Sequence, residues 1–501
     1  MDNENDPTLG YFPAAELVFA FVYPIGTQHT GLEGTLQDYL SQFGYRTNII
    51  KLSSYFPVLL QQLGKPWKST KETAALAHYK IEAGNNIRRL TKSKNILAYE
   101  AAGLIHAWRV KVGTKQDQEI GDEFEQGMQE RTAHVILSLK RPEEADTLRR
   151  IYGDGFFLIG FSPSNEHRDA YFRQKGMSDK EKTSLIDIDA AEVEEYGQQT
   201  RKTFHLSDVF LTTENYQREV PRFLDLVFGC HTITPTLEEH AMFLAYAASL
   251  RSGDLSRQVG AAVIDENGEL ISVGYNEVPK FGGGLYGPED ENDSRDILKG
   301  VDANEIAKNR LIKSILGELG RKGAKAQRKL ESTGLVDITE FGRAVHAEME
   351  ALLACARAGR SARGSTLYTT TFPCHNCCRH IIAAGIRKVV YVEPYPKSKA
   401  ANLHGDAISV DEKSDTRVPF VPFIGIGPRR YFDLFSMQLS TGYPIERKEK
   451  GKLKAWQRLD APPRLQMQPN TYLSRERLAF EDLKTLLSTQ EEHTNAGKKH
   501  K

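Results

Sequence analysis

Four residues in the second half of the chain have the types and spacing of a catalytic metal site. His346 and Glu348 are two positions apart, and Cys374 and Cys377 form a Cys-x-x-Cys motif further along. At the start of a helix, two such cysteines lie one turn apart, so both thiolates can bind the same ion. A catalytic zinc ion takes three protein ligands and keeps a fourth position for water. The pattern therefore predicts a Zn²⁺ site with His346, Cys374 and Cys377 as its ligands.

Glu348 has the position of a proton carrier rather than of a ligand. His-x-Glu followed by Pro-Cys-x-x-Cys is the signature of zinc-dependent base deaminases, in which the glutamate does not bind the metal. Zinc lowers the pKa of a water molecule to near neutrality, and Glu348 would carry a proton from that water to N3 of the base. A closed structural zinc site is the alternative, with Cys378, His375 or His380 as the fourth ligand. The position of Glu348 favours the catalytic interpretation.

The segments around these residues alternate between helices and strands. From about Pro235 the pattern predicts a helix, a strand pair around the turn Asn267-Gly268, a long polar stretch, and a helix–strand–helix–strand series. The predicted helices are 237–249, 345–358 and 374–384, and the predicted strands are 260–264, 270–275, 365–371 and 388–392. One helix start thus carries the histidine and the glutamate, and another carries both cysteines.

The second half resembles the deoxycytidylate deaminase branch of the cytidine deaminase superfamily. The matching motifs are Ser252-Gly253-Asp254, Gln258 to Ala262, Gly274-Tyr275-Asn276, His346-Ala347-Glu348 and Phe372 to Cys377. The resemblance implies a cytidine-deaminase-like α/β/α domain that acts on deoxycytidine nucleotides. It also implies that Asn276 holds a sugar hydroxyl and that Tyr395 lies at the phosphate. A turn-capping asparagine and a loop aromatic residue are the alternatives at these two positions.

The first half predicts an α/β unit whose parallel sheet has helices on both faces. Its strand-like segments are 16–23, 45–52, 132–139 and 155–161. The first strand leads through a glycine-containing loop into a helix, so the unit resembles a P-loop nucleotide kinase. Leu32 stands where the P-loop lysine belongs, which argues against kinase activity. Backbone amides at Gly26, Thr27 and Gly31 would still suit phosphate, and a turn that binds nothing is the alternative.

A kinase-like domain fused to this kind of deaminase resembles the bacterial anti-phage dCTP deaminases. That resemblance implies conversion of dCTP, and often of dCMP, to the uracil forms, which empties the deoxycytidine nucleotide pool during phage replication. It further implies a homo-oligomer such as a hexamer and, in some members, a small RNA that holds the enzyme inactive. The basic stretch 308–329 is the candidate contact for RNA or triphosphate, with a solvated helix face as the alternative. Mg²⁺ is expected with the nucleotide, and the acidic run 289–293 is either its site or a solvated loop.

The composition predicts a soluble cytoplasmic protein of several domains. The 501 residues include 66 basic and 66 acidic ones, and this zero net charge argues against a generic polyanion binder. Five cysteines make a poor disulfide framework, and neither a signal peptide nor a transmembrane segment is predicted. The expected division is a degenerate P-loop kinase-like domain at 1–230, a deaminase domain at 235–445 and a polar C-terminal extension at 446–501.

Two other functions compete with a free-nucleotide deaminase. A deaminase of bases in DNA or RNA would need a basic surface and stacking aromatic residues, which zero net charge and only three tryptophans do not favour. A nucleotide-responsive binding protein would instead use its zinc as a structural ion. An open fourth position on the metal separates the enzymes from the binding protein.

Overall fold

The chain forms two compact units, one of which is discontinuous in sequence. A computed structural model describes residues 14–67, 73–113, 128–191, 194–320, 326–327, 330, 341–393, 398–410, 414 and 416–496. The first unit comprises Met1–Pro235 and Ile424–Lys501, and the second comprises Thr236–Phe423. The expected separate extension at 446–501 is thus part of the first unit, and the second unit ends at Phe423 rather than at residue 445.

The N-terminal part of the first unit alternates strands and helices. Its elements are β1 (Leu17–Val22), α1 (Thr30–Ser41), β2 (Arg46–Lys51), α2 (Phe56–Gln62), α3 (Thr73–Thr91), α4 (Ile96–Gly113), β3 (Thr132–Leu137), α5 (Pro142–Tyr152), β4 (Phe156–Ser162), α6 (Asn165–Gln174), α7 (Asp179–Ala191), α8 (Thr200–Phe204), β5 (Val209–Thr212) and α9 (Tyr216–Val227). The four strands predicted from the sequence are β1 to β4, and β5 is an additional strand.

The second unit contains every helix and strand predicted for it, with boundaries that agree to within two residues. Its elements are α10 (Leu237–Ser249), β6 (Gly260–Ile264), β7 (Leu270–Tyr275), α11 (Asp296–Lys299), α12 (Ala303–Glu318), α13 (Ala347–Arg357), β8 (Thr366–Thr371), α14 (His375–Ala383), β9 (Lys388–Glu393), α15 (Ala400–Leu403), β10 (Ile408–Ser409) and β11 (Val418–Pro422). Strands β10 and β11 extend the sheet beyond the predicted set.

The chain then returns to the first unit. The returning elements are β12 (Gly425–Ile426), α16 (Tyr431–Phe435), β13 (Lys448–Glu449), β14 (Lys452–Leu453) and α17 (Pro469–Ala496). Within the described ranges, no helix combines the length and the apolar character that crossing a membrane requires.

The sheet of the first unit is parallel except at one edge. Its order is β12-β5-β4-β1-β3-β2, and β12 alone among these strands runs antiparallel to its neighbour. Strand β1 is buried along its whole length. Its alternate side chains enter two different hydrophobic cores, one with Leu148 of α5 and the other with Leu36 of α1. The expected parallel sheet with helices on both faces is therefore present.

A buried ion network attaches α17 to this sheet. Arg109 on α4 pairs with Glu476 on α17 at 2.6 Å and with Glu16, just before β1, at 3.2 Å. Burial alone would raise the pKa of Glu16, but Arg109 and His134 hold it at about 2. Removing one partner of such a buried pair costs about 3–5 kcal/mol because the other charge is left uncompensated. The polar residues of α17 thus include a structural anchor of the first unit.

The second unit has a mixed sheet, and α13 packs closely against its strand β7. The order is β10-β11-β9-β8-β6-β7, with β6 antiparallel to both β7 and β8 and the remaining pairs parallel. A Cβ atom on Gly274 of β7 would lie 2.3 Å from the carbonyl oxygen of Ala347 and 2.4 Å from the amide nitrogen of Ala351. Only glycine permits this approach, so Gly274 sets how closely α13 packs on the sheet.

Candidate functional site

Helix N-termini hold the candidate metal ligands. His346 is the extended residue that precedes α13, with φ −72° and ψ 152°. Cys374 is the N-cap of α14, and its Sγ accepts a hydrogen bond from the Cys377 backbone amide at 3.5 Å. Helix N-termini favour negative charge, which suits thiolate ligands.

The three ligand candidates meet at one point in the second unit. His346 Nδ1 lies 3.3 Å from Cys374 Sγ and 3.4 Å from Cys377 Sγ, and the three donor atoms are within 4.8 Å of one another. Tetrahedral zinc with bonds of about 2.0–2.3 Å keeps its ligand atoms about 3.3–3.8 Å apart. One imidazole nitrogen and two sulfurs at these separations fit Zn²⁺.

The alternative fourth ligands do not join this group. In the described part of the chain, the group of His346, Cys374 and Cys377 contains neither Cys378 nor a further histidine. Cys378 is fully buried in the hydrophobic core of the second unit. A closed structural site would need four protein ligands. The geometry therefore supports an open fourth position.

The protonation of the ligands is set by their mutual contacts. Hydrogen bonds from Cys377 and His346 lower the pKa of the Cys374 thiol to about 4, although burial opposes this shift. The bond with Cys374 raises the pKa of His346 to about 9. A bound cation would displace the protons from these side chains, because metal ligands must be deprotonated.

Glu348 is next to the ligands and is shielded from solvent. It is 4% exposed, and the Cys377 thiol donates to its Oε2 at 3.5 Å. Burial raises the pKa of Glu348 above its ordinary value. A carboxyl group with a raised pKa holds its proton to a higher pH than an exposed carboxyl group does, which suits the proton transfer of a general acid–base.

Asn276 directly follows β7, and its side chain is bound to the backbone. Its Oδ1 accepts the Val259 amide at 2.7 Å, and its Nδ2 donates to the Arg257 carbonyl at 2.9 Å. The next residue, Glu277, forms a β-bridge with Val345, immediately before His346. The amide thus caps a turn, and it keeps one N–H and one lone pair beyond these two bonds.

Two carboxylates of this region have roles that the sequence did not predict. Glu277 is 1% exposed and accepts the backbone amides of Gly253 and Val278 at 2.8 and 2.9 Å. Asp254 accepts the amide of Ser256 at 2.8 Å and contributes to the raised pKa of His346. Asp254 belongs to a recognised motif and Glu277 directly follows one, but no spacing rule marks a carboxylate that binds backbone amides.

The other predicted site residues are Tyr395 and three residues of the first unit. Tyr395 is outside the described residues. Gly26 and Thr27 belong to the loop between β1 and α1 in the first unit, and Gly31 lies in the first turn of α1. Gly26 has φ +86°, and the Thr27 hydroxyl donates to the Pro24 carbonyl at 2.6 Å. Leu32, which replaces the P-loop lysine, is 1% exposed and packs in the core beneath α1.

Comparisons with known proteins agree with this centre. A family model for the cytidine and deoxycytidylate deaminase zinc-binding region matches residues 235–393. Deoxycytidylate deaminase of Enterobacteria phage T2 is 35% identical over 158 residues, which are 31% of this chain and 79% of that protein. The phage T4 enzyme is 33% identical over 162 residues, with 31% of this chain and 77% of that protein covered.

The chain belongs to the deoxycytidylate deaminase family. This membership confirms the expected enzyme class, a zinc-dependent deoxycytidine nucleotide deaminase, which is a hydrolase. The zinc-binding family region and the His-Cys-Cys group together support Zn²⁺. Among solved structures, the dCMP deaminase of cyanophage S-TIM5 in complex with dCMP and dUMP is 22% identical, covers 38% of this chain and 99% of that chain, and has a TM-score of 0.23.

Proposed function

We propose that this deaminase converts dCMP and dCTP to dUMP and dUTP. The observation that carries the proposal is the open group of His346, Cys374 and Cys377 with the buried Glu348 beside it. The phage relatives named deoxycytidylate deaminase support a deoxycytidine nucleotide as the substrate.

Each residue has a separate part in the proposed reaction. When bound by the three ligands, zinc supplies Lewis acidity that makes water a nucleophile near neutral pH. Glu348 takes a proton from the water that attacks C4 and delivers it to N3 of cytosine. A second proton passes through Glu348 to the amino group, the C4–N bond breaks, and ammonia leaves.

The sugar and phosphate contacts remain proposals. Asn276 would use its remaining N–H or lone pair for the sugar hydroxyl while its turn stays capped. Tyr395 would contact the phosphate. Mg²⁺ would accompany a triphosphate substrate, and the acidic run 289–293 includes Asp290 and Asp293, which already pair with Lys280 and Arg295.

The first unit is proposed to regulate deamination without transferring phosphate. Buried Leu32 in place of a lysine supports the absence of kinase activity, because the charge that stabilises a transferring phosphoryl group is missing from that position. Within an anti-phage role, this regulation would limit depletion of the deoxycytidine nucleotide pool to infected cells, and a small RNA is the proposed inhibitor. Residues 321–325 and 328–329 of the basic stretch proposed to contact RNA lie outside the described residues.

A homo-oligomer is proposed from exposed apolar side chains of the second unit. Leu250, Ile297 and Leu298 are 61%, 49% and 63% exposed. Leu250 and Ile297 line the same cavity of about 390 Å³, so they belong to one region of the surface. Contact with a second copy of the chain would cover this region.

A substrate panel tests the proposed function. Purified protein with one zinc per chain would be given dCMP, dCTP, CTP, cytidine and single-stranded DNA, and loss of the amino group followed for each. We expect turnover of dCMP and dCTP and little turnover of cytidine or DNA. Faster reaction with an oligonucleotide would favour a nucleic-acid deaminase, and zinc-loaded protein inactive on every substrate would favour a structural zinc.

A further inference from the structure

A second cluster of polar groups lies in the first unit, where β1 and β3 end side by side. Helix α1 follows β1 and packs on one face of the sheet, whereas α5 follows β3 and packs on the other. In open α/β sheets, ligands bind at the carboxyl ends of neighbouring strands whose connections leave toward opposite faces. The end of β1 and the end of β3 are such a pair.

Three different donors converge there on one carboxylate, that of Asp189 at the end of α7. The Ile25 backbone amide donates to Oδ2 at 2.8 Å, and the Lys140 ammonium and the Thr200 hydroxyl donate to Oδ1 at 2.7 and 3.1 Å. The Asp189 side chain is 2% exposed. Loop amides and a lysine are the donors with which phosphate-binding loops hold a phosphate chain, and a hydroxyl beside them binds the accompanying Mg²⁺.

Lys140 brings to this loop the positive charge that position 32 lacks. Its ammonium also donates to the Tyr23 carbonyl at 2.7 Å, so it lies against the end of β1 although it follows β3. Ser138, two residues earlier, has φ +74°, which residues other than glycine rarely adopt. Backbone strain of this kind persists where surrounding contacts fix it, and it concentrates at ligand sites.

Helices α6 and α7 cover the loop. Arg168 on α6 donates from Nε to the Ile25 carbonyl at 2.9 Å, and a Cβ atom on Gly26 would lie 2.7 Å from Phe172. The cover has a small core of its own, in which Phe172 and Leu185 are buried with Ile81. Segments with few buried apolar contacts open at low free-energy cost.

We propose that this cluster is an anion site for the phosphate chain of a nucleotide, in which Lys140 replaces the missing P-loop lysine and Asp189 occupies the site until a ligand displaces it. The inference rests on the regulatory role proposed for the first unit. A phosphate chain carries more charge and more acceptor oxygens than one carboxylate, so it can compete for the same three donors. Its binding would release the end of α7 from Ile25. The position of helices α6 and α7 would therefore depend on whether the site holds a phosphate chain.

Calorimetric titration of the full-length, zinc-loaded protein with inorganic tripolyphosphate tests the site. Asp189→Asn should bind at least tenfold more tightly than wild type, and Lys140→Met at least tenfold more weakly. Asp187→Asn and Lys180→Met remove exposed charges from α7 and should bind as wild type does. Binding by Asp189→Asn that is no tighter than by Asp187→Asn, or undiminished binding by Lys140→Met, would overturn the proposal.

Two further titrations identify the source of the phosphate chain. ATP should bind at least as tightly as tripolyphosphate, and adenosine should not bind measurably. Adenosine that binds as tightly as ATP would show that the site recognises a base and not an anion, which contradicts the proposal.

Hydrogen exchange tests the displacement of Asp189 without any substitution, and so also covers the case in which Asp189→Asn does not fold. Saturating tripolyphosphate should speed amide exchange over residues 179–191 of the wild-type protein. Bound tripolyphosphate with unchanged or slower exchange there would refute displacement. Deamination of dCTP is measured on the same preparations. Tripolyphosphate binding without turnover of dCTP counts against the proposed function alone. Turnover of dCTP without tripolyphosphate binding counts against this site alone.

Discussion

At the scale of single residues, Glu348 and the metal ligands should have separable roles. Glu348 contacts the Cys377 thiol but does not belong to the group of donor atoms. Glu348→Gln should therefore lower the rate of deamination by about 10²–10⁴-fold, the usual contribution of a general acid–base, and leave one zinc per chain. Turnover of dCMP and metal content of the same sample measure the two effects.

The control for this substitution is Glu350→Gln. Glu350 lies on the same helix and pairs with Arg357. Its variant should keep activity within a few-fold of wild type. Loss of zinc from Glu348→Gln would instead make Glu348 a ligand, and activity close to wild type would place the general base elsewhere.

Glu100 on α4 should give the stability of the protein a measurable pH dependence. Burial raises the pKa of Glu100 to about 7, so the folded chain binds this proton more tightly than the unfolded chain does. The contribution of this proton to the free energy of unfolding is complete below the pKa of Glu100 in the unfolded chain, which is about 4.3. It is lost as the pH rises through 7. The free energy of unfolding of Glu100→Gln, relative to that of wild type, should therefore increase by about 1–3 kcal/mol between pH 5 and pH 8.

Urea unfolding of the two proteins at both pH values measures this change. If the free energies of unfolding of the two proteins differ by the same amount at pH 5 and at pH 8, Glu100 has an ordinary pKa in the folded chain.

The metal centre could be predicted at this scale because its signal is local. His346 and Glu348 are two positions apart, and Cys374 and Cys377 are three. Lys140 and Asp189 meet only in the folded chain, across 49 positions, and Asp189 bonds to Ile25 across 164. No periodicity or motif links such residues, because the crossover connections of a parallel sheet decide which strand ends become neighbours.

At the scale of elements, the contact between β7 and α13 should control the active site. Gly274→Ala places a Cβ atom 2.3 Å from the Ala347 carbonyl oxygen, so either the helix or the strand must shift. We expect a loss of about 1–3 kcal/mol in the free energy of unfolding, the usual cost of overpacking. Because α13 begins directly after His346, zinc affinity and deamination should fall together.

Gly317→Ala is the matched control. Gly317 lies in α12, and an added Cβ atom there would meet nothing within 4 Å. Alanine in a helix interior is favoured over glycine by up to about 1 kcal/mol, so this variant should be as stable as wild type or more stable. Equal effects of the two substitutions on zinc affinity would rule out the positioning role of Gly274.

Elements with regular apolar patterns could be predicted, whereas α17 could not. The hairpin around Asn267-Gly268 and the buried run of β1 carry strong local signals. Helix α17 is rich in charged residues, which indicated a polar extension. Its inward side includes Tyr472 and Glu476, both almost fully buried by α4 and the residues before β1. A carboxylate that is buried against an arginine has the same sequence pattern as one in solvent.

At the scale of the whole molecule, the second unit should fold without the first. Its hydrophobic core is built from residues between Ala261 and Phe420, all of them within the unit. We expect a fragment of residues 236–423 to unfold cooperatively and to bind one zinc ion. Circular dichroism melting and metal analysis measure both properties.

A fragment that ends at the sequence-predicted boundary, residues 235–445, provides the comparison. It would add Ile426 and Leu434, which belong to a core of the first unit and would have no partners in this fragment. We expect it to aggregate more readily than the shorter fragment does. An unfolded 236–423 fragment beside a folded 235–445 fragment would show that the structural boundary is misplaced.

The return of residues 424–496 to the first unit also fixes an order of synthesis. The ribosome completes the deaminase unit at Phe423 before it adds β12, the edge strand of the first sheet, and α17, which carries Glu476. Domains generally fold as they emerge during translation. A stop codon between residues 424 and 476 would therefore leave the deaminase unit complete and leave Arg109 without one of its two carboxylate partners. Synthesis of the deaminase unit is therefore complete before synthesis of the unit that is proposed to regulate it.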